Sequence, residues 1–156
     1  MKPNIGISDK DLKSVAASLN ILLADEHILY LKTRNYHWNV EGSNFMEMHK
    51  FFESQYEQLS ETIDEIAERI RTLGHYSEGR LKDFIENTNL KEQEYTSEQK
   101  EQIKNLLDDH ETIARRLHKE IEAFATTYND PGSADFITGI NQMHEKMAWM
   151  LRSYLK

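Results

Sequence analysis

The chain has 156 residues, 38% hydrophobic and 29% charged, with a formal net charge of −8 and no cysteine. That length and mixture support one compact domain (residues 1–156) and exclude a disordered or fibrous chain. The missing thiols exclude disulfides, Cys-based metal sites and thiol nucleophiles, and the negative charge disfavours nucleic acid and favours cations.

The first apolar 3.6-residue period runs from Ser8, a candidate N-cap, through Leu12, Val15, Leu19, Leu22, Leu23 and Leu29 to Tyr36-His37-Trp38. Gly42 stands where a helix end favours glycine. A second helix opens at Asn44, with Glu47 as its capping-box partner, and runs to Leu73, where Gly74 stops it. Residues 75–95 are polar and broken, with room for a short helix at "RLKDFIE". A third helix is expected from near Thr96 and carries Ile103, Leu106, Leu107, His110, Ile113, Leu117, Ile121 and Phe124 on one face. After the break "NDPGSAD", a fourth bears Phe136, Ile140, Met143, Met147, Met150 or Leu151, and Tyr154. No strand pattern and no apolar run of membrane-spanning length occurs, and no secretory apolar core precedes the first helix, so a cytoplasmic location is expected. The fold class is all-α: a four-helix bundle with a short extra helix in the long crossover between the second and third helices.

The second helix carries two polar pairs at four-residue spacing, His49/Glu53 and Asp64/Glu68. All four fall within a stripe of about 100°. The acidic pair alone is also what a solvated helix produces by chance, with Glu68 pairing Arg69 or Arg71, and a histidine among phenylalanines is more often a satisfied core residue. Within one chain the pairs cannot share an ion, because the eleven residues from Glu53 to Asp64 span roughly 16 Å of helix. Yet they mirror each other about a point between Gln58 and Leu59. Two such helices crossing antiparallel on a twofold axis would bring His49 and Glu53 of one chain to Glu68 and Asp64 of the other. His37, at the end of the first helix, is within reach as a further ligand. Imidazoles with carboxylates suit Fe(II), Mn(II) or Zn(II), and a carboxylate-rich shell favours Fe(III) over Fe(II). Trp38 and Tyr36 flank His37 as oxidisable rings. None of the seven histidines has Glu three residues before it, which speaks against a di-iron centre inside one bundle.

"YHWNVEGSNFMEMHKFF" followed by "DEIAERIRTLG" resembles the Dps family, the ferritin-like proteins of starved or oxidatively stressed bacteria, and the likeness extends to the closing "WMLRSYL". The resemblance implies a ferritin-like subunit of a hollow dodecamer with ferroxidase sites across twofold interfaces. Its iron ligands would be His37, His49 and Glu53 of one subunit with Asp64 and Glu68 of its mate. Position 53 is often Asp in the family. Trp38 matches a tryptophan beside the site, and Asp130 and Asp135 match carboxylates of an ion-entry channel, where Gly139 replaces a further acid of some members. The implied reaction is oxidation of Fe(II) by hydrogen peroxide, or oxygen, with ferric mineral stored inside. Family members often bind DNA through basic tails. Here Lys2, Lys10 and Lys13 are few and interleaved with Asp9 and Asp11, which argues against DNA binding, although avidity of a cage would multiply weak contacts.

Overall fold

The computed structural model describes residues 2–156. Five α-helices follow in order: α1 (Asp9–Asn39), α2 (Phe45–Thr72), α3 (Leu81–Asn87), α4 (Gln99–Glu122) and α5 (Pro131–Ser153), with a π-helical turn at Ala123–Thr127 between the last two. α1 packs against α2 and α4 against α5, each an antiparallel pair, and α3 lies on α1 within the crossover. No strand occurs among the described residues.

Ser8 caps α1 as expected: its side chain accepts from the Asp11 amide, and Asp9 and Asp11 place negative charge in the first turn. At α2 the expected capping box does not form. Asn44 makes no side-chain cap bond, and the Glu47 carboxylate instead accepts from the Tyr154 hydroxyl at 2.7 Å. Tertiary contact with α5 outbids the local motif. The third long helix is capped two residues later than expected. Glu98, not Thr96, accepts from the Glu101 amide at 2.8 Å, while Thr96 accepts from the Glu98 amide just outside the helix. Gly74 ends α2 with φ +84°, and Pro3 sits so close that a Cβ there would fall 2.6 Å from its ring.

The apolar stripes read from the sequence meet in one core. Phe52, Leu59, Ile66 and Ile70 of α2 face Leu19, Leu22, Leu23 and Leu29 of α1, with Leu106, Leu117, Phe124, Ile137 and Leu151 closing the other half. Two buried charges on α1 fasten the crossover. Asp25 accepts from the Thr88 hydroxyl, the Asn89 amide and side chain, and Arg116. Lys32 donates to the Lys91 carbonyl at 2.6 Å and to Asp109 of α4 at 2.5 Å. Long loops are ordinarily mobile. This one is held near residues 88–91 by Asp25 and Lys32, side chains that the apolar pattern did not single out.

Candidate metal centre

The C-terminal end of α1 and the second turn of α2 run side by side, which brings His37 and His49 together. Their rings stack at 3.7 Å with planes 18° apart. Nδ1 of His37 donates to the His49 carbonyl at 2.7 Å, and Nδ1 of His49 donates to the His37 carbonyl at 2.8 Å. Because a carbonyl only accepts, both Nδ1 atoms carry the proton. This tautomer keeps the Nε2 lone pair, and neither Nε2 has a hydrogen-bond partner among the described residues. Two aligned imidazoles with fixed tautomers are a preorganised pair of nitrogen donors.

Glu53 follows one turn after His49 and is half-buried, with Lys50 as its ion-pair partner at 3.9 Å. Asp64 and Glu68 lie further along the same uninterrupted helix, both exposed. The surface pairing open to Glu68 is not made. Arg69 turns to Ser133 and Asp130, and Arg71 donates to the His75 carbonyl and covers the Tyr76 ring. Neither Asp64 nor Glu68 has an ion-pair or hydrogen-bonding partner among the described residues. No group of three or more His, Asp or Glu side chains within the described chain is placed to hold one ion. The chain therefore carries two separate groups of candidate ligands, His37, His49 and Glu53 at the α1–α2 margin and Asp64 and Glu68 further along α2, and they do not converge.

The aromatic surroundings differ from the expectation at one place. Trp38 is 59% exposed beside the pair, but Tyr36 is turned into the core, where its hydroxyl accepts from Asn105 at 2.9 Å. The ring that meets His37 edge-on, at 5.2 Å, is Tyr56 of α2. Burial and then the neighbouring Glu53 hold the Tyr56 phenol above the ordinary tyrosine value. Arg34 fills the space between, its guanidinium 5.0–5.6 Å from the rings of Trp38, Tyr56 and Tyr30, and no carboxylate pairs with it. Tyr56 stands seven residues after His49, on the same helix face, so its spacing was a signal available in the sequence.

At the junction of the π-helical turn with α5, Asp130 is 1% exposed. It caps α5, accepting from the Ser133 amide at 2.9 Å and hydroxyl at 2.5 Å, and also pairs with Arg69 at 3.2 Å. Asp135, one turn on, is exposed and has no ion-pair partner among the described residues. Of the two candidate channel carboxylates, only Asp135 presents its charge to solvent in the single chain.

Residues 16–156 match the ferritin-like domain. The chain belongs to the Dps family. It is 34% identical over 143 residues to DNA protection during starvation protein 2 of Bacillus anthracis, covering 92% of this chain and 97% of that one. It is 41% identical over 154 residues to an uncharacterized low temperature-induced protein of Nostoc sp., covering 98% and 86% respectively. The crystal structure of the Dps protein from Vibrio cholerae O1, described as a member of a superfamily of ferritin-like diiron-carboxylate proteins, superposes with a TM-score of 0.93 at 30% identity over 99% of this chain and 97% of that one. As a Dps protein, the chain has the ferritin-like bundle plus one short helix in the crossover.

Proposed function

We propose that this protein is a ferroxidase and iron-storage subunit, oxidising Fe(II) at sites that two copies build together and holding the ferric product inside the assembly. His37, His49 and Glu53 would come from one copy and Asp64 and Glu68 from its twofold mate. The carrying observation is the reciprocal Nδ1–carbonyl bonding of His37 and His49, which leaves two aligned Nε2 donors. The unpaired Asp64 and Glu68 at mirrored positions on α2 supply the complement. A further support is the family, whose Vibrio cholerae member is described as ferritin-like diiron-carboxylate.

The chemistry follows from the donors. Iron enters as substrate, and three carboxylates with two imidazoles stabilise the more highly charged Fe(III). With hydrogen peroxide the balance is Fe(II) twice, one peroxide and two protons giving Fe(III) twice and two waters. Taking both electrons at one shared site avoids releasing hydroxyl radical. Asp135 would add negative potential along the entry path for the cation.

Complementation between chains tests the divided site. A His37→Ala/His49→Ala chain and an Asp64→Ala/Glu68→Ala chain should each be slow in Fe(II) oxidation. Refolded together, they should recover about a quarter of the wild-type sites, because half of the random pairs are mixed and each mixed pair holds one intact site. Absence of recovery, with both chains assembled, would show that the ligands are not shared. A Dps shell that covers DNA is the second reading, favoured by the names of relatives such as the Bacillus anthracis protein. Against it, Lys2 is tied to Asp9 and Pro3 is seated on Gly74, so the basic residue nearest the N-terminus is already engaged. A gel shift that persists at physiological salt would restore this second reading.

A further inference from the structure

Deep in the bundle, three ionisable side chains from three helices meet with no exposure: Glu26 of α1, His110 of α4 and His144 of α5 are each 0% accessible. His144 Nε2 lies 2.6 Å from Glu26 Oε1, and His144 Nδ1 lies 2.8 Å from Nδ1 of His110. The order determines where protons sit. The carboxylate accepts, so His144 Nε2 carries hydrogen. Between the two Nδ1 atoms one proton fits and no more. Without it two lone pairs confront each other, and with a second, two N–H groups collide. The far ends of the chain, His110 Nε2 and Glu26 Oε2, are buried without partners. A shared metal ion does not suit this arrangement, because His144 turns opposite ring nitrogens toward Glu26 and His110, and one ion cannot reach all three.

We propose that Glu26, His144 and His110 form a proton-operated latch, which holds α1, α4 and α5 together while the imidazoles share one proton and opens when mild acid delivers another. The added proton enters at His110 Nε2, which keeps the Nδ1–Nδ1 bond but puts a positive charge in the apolar core at an atom with no acceptor. Burial, followed by repulsion from His144, holds His110 well below the ordinary histidine value. The unfolded chain therefore takes up a proton below about pH 6.5 that the folded chain resists. Stability is full above that pH and declines as pH falls below it, by up to tenfold in the folded-to-unfolded ratio per pH unit for this one proton.

Each element around the latch offers little else to balance the charge. On α1 the buried Lys32 is already paired with Asp109 of α4. On α5, Asn141 donates to Glu145. On α2, Gln55 is buried with neither amide atom bonded. Asp109, pushed up to about 6 by burial, titrates in the same range with the opposite sign, so the comparison between proteins matters more than the absolute slope.

The test is chemical denaturation of the native assembly at about pH 7.5 and about pH 5.5. Wild type and His110→Asn are compared, with the exposed His118→Asn as control. Asn retains a donor at the Nδ1 position and does not titrate. The expected result is a midpoint that falls with acid in wild type and in the control, and falls by less than half as much in His110→Asn. A wild-type midpoint that does not fall, or one that falls equally in His110→Asn, overturns the latch. If His110→Asn does not fold, hydrogen exchange of the wild type decides. After correction for intrinsic rates, α4 and α5 should lose protection in acid before α2, and uniform loss, loss led by α2 or no loss defeats the proposal.

Discussion

Two histidine pairs in this chain are built from the same atoms and reach opposite ends. In the pair at the α1–α2 margin, each Nδ1 is bonded to the other residue's carbonyl, so both Nε2 lone pairs stay free. In the core pair the Nδ1 atoms bond each other, and His144 Nε2 is engaged by Glu26. Main-chain acceptors leave each imidazole one free lone pair. Side-chain acceptors that can themselves titrate tie it into a hydrogen-bonded chain. Histidine identity and apolar surroundings do not separate the two cases; the hydrogen-bond partner of the second nitrogen does.

Substitutions that exchange the two behaviours sharpen this contrast. The largest effect expected is on activity. His37→Ala/His49→Ala should slow initial Fe(II) oxidation by at least about a hundredfold, read by absorbance of the ferric product, with little change in denaturation midpoint. In the core the same kind of change should act on stability. His144→Ala leaves the Glu26 carboxylate buried and unpaired and should cost about 3–5 kcal/mol in unfolding free energy, while oxidation per folded site stays near wild type. If His144→Ala instead abolishes oxidation in folded protein, the separation between the pairs is wrong.

Smaller effects refine the picture. In the fold Asp109 is protonated more readily than in the unfolded chain, rising to about 6 from 3.8, chiefly through burial. Its contribution to stability is therefore greatest below pH 3.8, is lost as pH rises through about 6, and is level above. Asp109→Asn should remove that slope and steepen the net acid sensitivity left by His110, measured as midpoint against pH. Ser8→Ala, at the cap of α1, should lower stability by about 1 kcal/mol without touching either pair.

Much of the bundle was legible because apolar periodicity is a local signal. Leu12 to Leu29, Met48 to Ile70 and Ile103 to Leu117 are buried where their spacing put them. The ends were less legible because they answer to distant residues. Glu47 left its cap for Tyr154, and α4 begins with Glu98 because Thr96 lies in the turn before it. The association of His37 with His49 could be suspected from spacing, but their tautomers depend on carbonyls that have no sequence signature. Likewise Glu26 and His144 are far apart in the chain, and only packing reveals them as one unit. Tyr36 and Tyr56 show the same limit: adjacency to His37 in sequence pointed to the first, and helix pairing delivered the second.

Carbonyl oxygens belong to every residue type alike, so the bonds that orient His37 and His49 survive any exchange of the side chains around them. Mutational drift can reshape the rim formed by Trp38, Tyr56 and Phe45, whose ring stacks on His49 at 5.2 Å, while the donor nitrogens keep their aim. Heritable damage to that aim is concentrated in two codons and in whatever shifts the α1–α2 register.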